Sequence, residues 1–118
     1  MPVNPRDLLP LKDLVFRVLL ALSEGERHGW SLVREIHERT DNTRILPANF
    51  YRTLRGMLAD GLIEEAGRRP SSDDPGDDER RRYFAVTPLG RDAARLEARR
   101  MQDLVADART RRLLGARR

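Results

Sequence analysis

Apolar residues along this chain recur at helical intervals, and the stripes are separated by short polar breaks. From Leu8 onward, Leu8, Leu11, Leu14, Val15, Val18, Leu19 and Leu22 recur three and four apart, which predicts a helix with one apolar stripe. Phe16 and Leu20 fall off that stripe, giving the helix a second apolar side for either a neighbour in the same domain or another subunit. Residues 1–7, with Pro2, Asn4 and Pro5, read as a flexible leader. Ser23-Glu24-Gly25 stops the helix and Gly29-Trp30 opens a second. In that second helix Trp30, Val33 and Ile36/His37 are expected in the core, with Arg34, Glu35 and Glu38 outward. The polar run from Thr40 to Thr43 ends it.

The third helical segment, Pro47 to Asp60, has two different faces. Phe50, Leu54, Met57 and Leu58 share an apolar one, while Asn49, Arg52, Thr53 and Gly56 share one that is small, polar and cationic. Pro47 suits the first helical turn, and Gly61 suits the left-handed position just past the last. Leu46 stands where a capping side chain is expected, so either the cap is missing or Asn49 caps a later start. Leu62 to Ala66 then reads as a short strand and Arg80 to Val86 as a second, with Tyr83 and Phe84 on opposite faces. The loop between them, residues 67–79, is rich in turn residues and acidic at its tip. Three helices followed by such a hairpin predict a mainly α fold with a small β-wing, a winged helix-turn-helix over residues 8–87.

Thr87-Pro88 supplies an N-cap and an N1 proline for a last helix expected over residues 88–114, followed by a basic tail at 115–118. Ala94, Ala98, Met101, Val105 and Ala108 alternate four and three apart, with Leu104 beside them, as in a coiled-coil seam. One small domain has little to cover so long a seam. A second copy of the chain does, and the segment is therefore read as a C-terminal dimerisation helix, the alternative being simple packing onto the first helix.

Composition narrows the function. The 118 residues carry a net charge of +4, which fits an anionic partner, and 36% of them are charged. There is no cysteine, so disulfides and thiol chemistry are excluded. His28 and His37 have no further ligands placed with them, so no metal or other cofactor is assigned. Paired carboxylates in an apolar setting, a Ser-His-Asp set and a phosphate-cradling glycine loop are all missing from the sequence, which gives no sign of an enzyme. No apolar run has membrane-spanning length and the N-terminus lacks a signal-peptide core; a cytoplasmic protein is expected.

Three stretches resemble the PadR family of bacterial transcriptional regulators. LLALSEGERHGWSLVREI at 19–36 resembles the family's His-Gly-aromatic pattern, with Trp30 where tyrosine is usual. PANFYRTLRGMLADGLIE at 47–64 resembles its recognition segment, with Phe50 in the leucine place, and RRRYFAVTPLG at 80–90 resembles its wing-to-helix junction. The resemblance implies a homodimeric regulator, usually a repressor, often released by a small molecule.

In such an arrangement the third helix enters the major groove of double-stranded operator DNA. Arg52 is the first choice for a guanine or inner-phosphate contact, with Asn49 and Thr53 beside it to read an adenine edge or a thymine methyl. Gly56 either allows close backbone approach to DNA or is simply a tolerated helix glycine. Tyr51 resembles the family tyrosine whose hydroxyl reaches a phosphate; a ring packed beside Leu54 is the structural reading, and both can hold at once. Arg55 is expected on phosphate, and Arg68, Arg69, Arg80, Arg81 and Arg82 flank the wing. Asp73, Asp74, Asp77, Asp78 and Glu79 at its tip repel DNA. By analogy with the family's dimer plan, an effector pocket is expected where Leu14 and Phe16 meet Met101 and Leu104. The competing function is a winged-helix protein-interaction module with no DNA role.

Overall fold

Pro10 decides where the first helix begins. A residue before proline is pushed out of the helical region, and Leu9 is extended at φ −88° and ψ 148°. Helix α1 therefore spans Asp13–Leu22 and does not begin at Leu8. The computed structural model describes residues 3–40, 47–68 and 82–115. Within the described part of the expected leader, Pro5–Leu8 forms a 3-10 turn, and the Asn4 side chain accepts a hydrogen bond from Arg6 N at 3.0 Å. Leu8 and Leu11 pack against the core from outside any α-helix. Their periodic spacing signalled burial, with the helix starting later.

Three helices share one apolar core. Val18, Leu19 and Leu22 of α1 meet Leu32 and Ile36 of α2 (Gly29–Thr40) and Phe50, Leu54 and Met57 of α3 (Pro47–Ala59). Asn49 is the third residue of α3 with an exposed side chain, so it does not cap the helix. Leu46 and the polar loop before it lie outside the described residues. Trp30 is a correction: it is 48% exposed and not in the core. Leu32, which the sequence reading passed over, takes the buried place. The indole is instead stacked near His28, with the Arg34 guanidinium 4.8 Å from its ring centre.

The sheet has three antiparallel strands in the order β1-β3-β2, comprising β1 (Arg27–His28), β2 (Ile63–Arg68) and β3 (Arg82–Val86). β1 was not foreseen, because two residues carry no readable period. It pairs Arg27 with Phe84 and His28 with Tyr83. A bulge between Glu65 and Gly67 lets β2 continue through Gly67 and Arg68, which the sequence reading assigned to the wing loop. The rest of that loop, with Arg69, Arg80, Arg81 and the acidic tip, lies outside the described residues.

Helix α4 (Pro88–Thr110) is fixed to the end of α3 by a tight joint. Thr87 caps it as expected, its Oγ1 accepting from Gly90 N at 3.0 Å. The same hydroxyl aims its hydrogen at the carbonyl oxygens of Gly61 (2.5 Å) and Leu62 (3.0 Å). Gly90 is buried against this carbonyl pair, and a Cβ there would fall within 2.9 Å of the Leu62 carbonyl carbon and nearer still to its oxygen. α4 stops at Thr110, short of Leu114. Arg112 turns left-handed at φ 62° and Leu113 N bonds back to Ala108 O, which closes the helix.

One buried charge escaped the sequence reading. Glu97 of α4 is fully buried, and its carboxylate accepts from Arg100 Nε at 2.6 Å, Arg100 Nη2 at 2.9 Å and Leu11 N at 3.2 Å. The Arg100 guanidinium, above all by its hydrogen bond, holds this carboxyl below the ordinary carboxylate range against the opposing effect of burial. Glu97 thereby ties the segment before α1 to α4.

Candidate nucleic-acid interface

Helix α3 buries one face so completely that the other is defined by exclusion. Phe50, Leu54 and Met57 are locked in the core, which turns Asn49, Arg52, Arg55 and Gly56 outward to solvent. Thr53 sits half-buried on the flank toward α1, and Tyr51 half-buried on the flank toward the sheet. Arg52 enters no ion pair with any described residue. Its guanidinium is open to an anionic partner. A Cβ at Gly56 would meet nothing within 4 Å in the subunit, so the glycine leaves open space on this face.

Tyr51 is held on two sides. Its ring meets Phe50 edge-on at 5.7 Å, and it lines a small gap with Leu58, Arg55, Arg82 and Phe84. Its hydroxyl oxygen is buried. The ring thus packs beside Leu54.

The base of the wing stands beside this flank. Register pairs Arg68 with Arg82 in the sheet. Arg82 is partly offset by Glu65 at 3.2 Å. On the opposite edge of the sheet, His28 accepts a hydrogen bond from Ser31 N on Nδ1 at 3.1 Å, capping α2, and meets Tyr83 edge-on. Arg27 pairs with Glu35 at 2.7 Å, bracing β1 against α2. Among the described residues no group of three acidic or histidine side chains is placed to hold a metal ion. No described helix is long and apolar enough to cross a membrane.

A family model for the PadR-like transcriptional regulators matches residues 18–96. The chain belongs to that family. The matched span runs from the core of α1 through α3 and the wing strands to the first turns of α4. The PadR-like fold is also that of a regulator from Bacillus cereus, 22% identical, over 87% of this chain and 93% of that one, with a TM-score of 0.66. A PadR family regulator from Clostridium difficile is 16% identical over 84% of this chain and 97% of that one, with a TM-score of 0.69. A Streptococcus transcriptional regulator is 24% identical over 84% and 91%, with a TM-score of 0.68. No curated protein matches the chain.

Two further groups of this PadR-like chain complete the placement of the expected site residues. Along α4, Ala94 is half-buried on its own core, but Ala98, Leu104 and Val105 are exposed, Leu104 by 55% and Val105 by 42%. Met101 and Ala108 are half-buried. Leu14 lines a cleft of about 410 Å³ whose far wall is α3 with Arg52, Thr53 and Gly56. Phe16 is half-buried and is not part of that cleft.

Proposed function

We infer that this regulator is a homodimer that binds operator DNA through α3 and represses transcription in the cytoplasm. The observation that carries the reading is the exposed face of α3, where Asn49, Arg52 and Arg55 surround the open space at Gly56. A guanidinium free of ion pairs can take a guanine edge bidentately, an asparagine an adenine edge, and Thr53 a thymine methyl. In this reading Arg55 and Arg82 take phosphates, and Arg68, Arg69, Arg80 and Arg81 are assigned the same role from the sequence. The chain carries no catalytic function in this reading.

The unpaired apolar residues of α4 support the second half of the proposal. Ala98, Met101, Leu104 and Val105, continued at each end by Ala94 and Ala108, form a seam for the same helix of a second copy. Two α3 helices related by a two-fold axis then meet half-sites about one helical turn of DNA apart. In this reading a small-molecule effector releases the repressor from DNA.

Fluorescence anisotropy tests the proposal, using the DNA upstream of the protein's own gene, a scrambled duplex and a salt series. Expected is tighter binding to the upstream duplex that persists as salt is raised. Arg52→Ala should lose about 1–3 kcal/mol on that duplex and far less on the scrambled one. Arg109→Ala, on the distal end of α4, should change both equally and little. Equal binding to both duplexes that vanishes with salt would mean charge attraction alone, and the protein-interaction reading would then take its place.

A further inference from the structure

The cleft between α1 and α3 has the make-up of a ligand site and opens on the very residues assigned to DNA. Its aliphatic walls come from the segment before α1 and from α1 itself (Leu11, Leu14, Val15), and from Met57 on α3. Among the described residues no aromatic side chain lines it. Its volume of about 410 Å³ falls in the range of small-molecule sites, which combine apolar walls with a few convergent polar groups. Here the polar groups are Lys12, Arg52 and Thr53, with Asp60 further along.

We propose that this cleft binds a medium-chain aliphatic monocarboxylate, and that the ligand displaces DNA by taking Arg52. This rests on the assignment of α3 as the DNA-reading helix. Two cations set the sign of the ligand's charge. Asp60 lies two helical turns beyond Arg52, about 12 Å along the axis, and repels a second anionic group at the far end. The aliphatic lining offers van der Waals contact to a flexible chain and no ring for stacking. The cleft is preformed, because the buried Glu97 carboxylate holds Leu11 N and so fixes the wall opposite α3.

Competition has a distinct signature. A ligand that takes Arg52 raises the apparent DNA dissociation constant in proportion to its concentration. Ten times its own dissociation constant gives about an elevenfold rise at one site, with no plateau. A ligand acting from the α4 seam would saturate once all the protein had changed state.

Methionine methyl NMR on the full-length chain tests the site without DNA, because Met57 lines the cleft and Met101 lies on α4. Sodium decanoate, kept below its micelle concentration, should shift the Met57 methyl saturably and leave Met101 in place. Decylammonium and decanedioate should shift Met57 little, and Lys12→Gln should weaken decanoate binding about tenfold, the worth of one charge-assisted hydrogen bond. A shift confined to Met101 would overturn the site, as would no shift at all or equal responses to decanoate and decylammonium. In the anisotropy assay decanoate should raise the DNA dissociation constant without limit, and a plateau would overturn the competition. Should the upstream duplex not bind even without decanoate, the α3 assignment fails while the methyl shifts still judge the cleft.

Discussion

Glu97→Ala strikes a place where sequence and fold are tied by one side chain. The wild-type carboxylate is fully buried and accepts three hydrogen bonds, two from Arg100 and one from Leu11 N. Losing Arg100 costs little, because that guanidinium is part-exposed and turns to water. Leu11 N–H is left without its acceptor in a part-buried place, and the missing methylene and carboxyl leave a void; together these come to about 3 kcal/mol. Glu97→Gln keeps the volume and one acceptor and should cost about 1 kcal/mol. Urea unfolding measures both losses, and backbone amide exchange shows whether Leu11 is the group released.

The pH dependence carries the sign. A carboxyl with a depressed folded pKa adds stability that is fully present above its unfolded value, about 4.3 for glutamate, and is lost as pH falls through the folded value. The gap between wild type and Glu97→Gln should therefore be widest near neutral pH and begin to narrow as pH falls below about 4. A gap that stays constant from pH 7 to pH 3, or a Leu11 amide that exchanges no faster in Glu97→Ala, would refute the tie.

Four other outcomes are expected. Gly56→Ala should raise stability by about 0.5–1 kcal/mol, since a Cβ there meets nothing, while weakening operator binding in the anisotropy assay. Gly90→Ala should lose about 3 kcal/mol in urea unfolding, because the Leu62 carbonyl it strikes is backbone and cannot rotate away. Trp30→Phe should lose less than about 1 kcal/mol in the same assay, as a half-exposed ring packed by Arg34 and His28 requires. Leu104→Glu should convert a dimer to a monomer by analytical ultracentrifugation, with helical circular dichroism retained.

What could be read from the sequence depended on the length of each signal. The apolar face of α3 was legible because Phe50, Leu54 and Met57 span two full turns, and Thr87-Pro88 because a cap and an N1 proline act locally. The start of α1 was not. Leu8 and Leu11 keep the helical spacing while Pro10 breaks the backbone between them, so a periodicity of burial imitated one of structure. Trp30 was misplaced for a related reason: hydrophobicity alone favours the core, and only the fold shows Leu32 filling that space and Arg34 covering the ring. Glu97 could not be found at all, since its partner Leu11 is distant in sequence and contributes a backbone N–H that no residue type advertises. The cleft beside α3 was missed similarly, because its two walls are far apart along the chain.

The joint at the end of α3 has a consequence for how such proteins can be altered. Thr87 N donates to Leu62 O at 3.1 Å and Ile63 pairs with Val86, so the chain leaves for the wing and returns from it at the same point. Whatever lies between Ile63 and Val86 is an excursion closed at its base, and loop-closure entropy grows only slowly with length. Insertions and deletions within residues 69–81 should leave the angle between α3 and α4 untouched. A lineage, or an engineer, can exchange wings as tools on a common handle without redrawing how α3 and α4 meet.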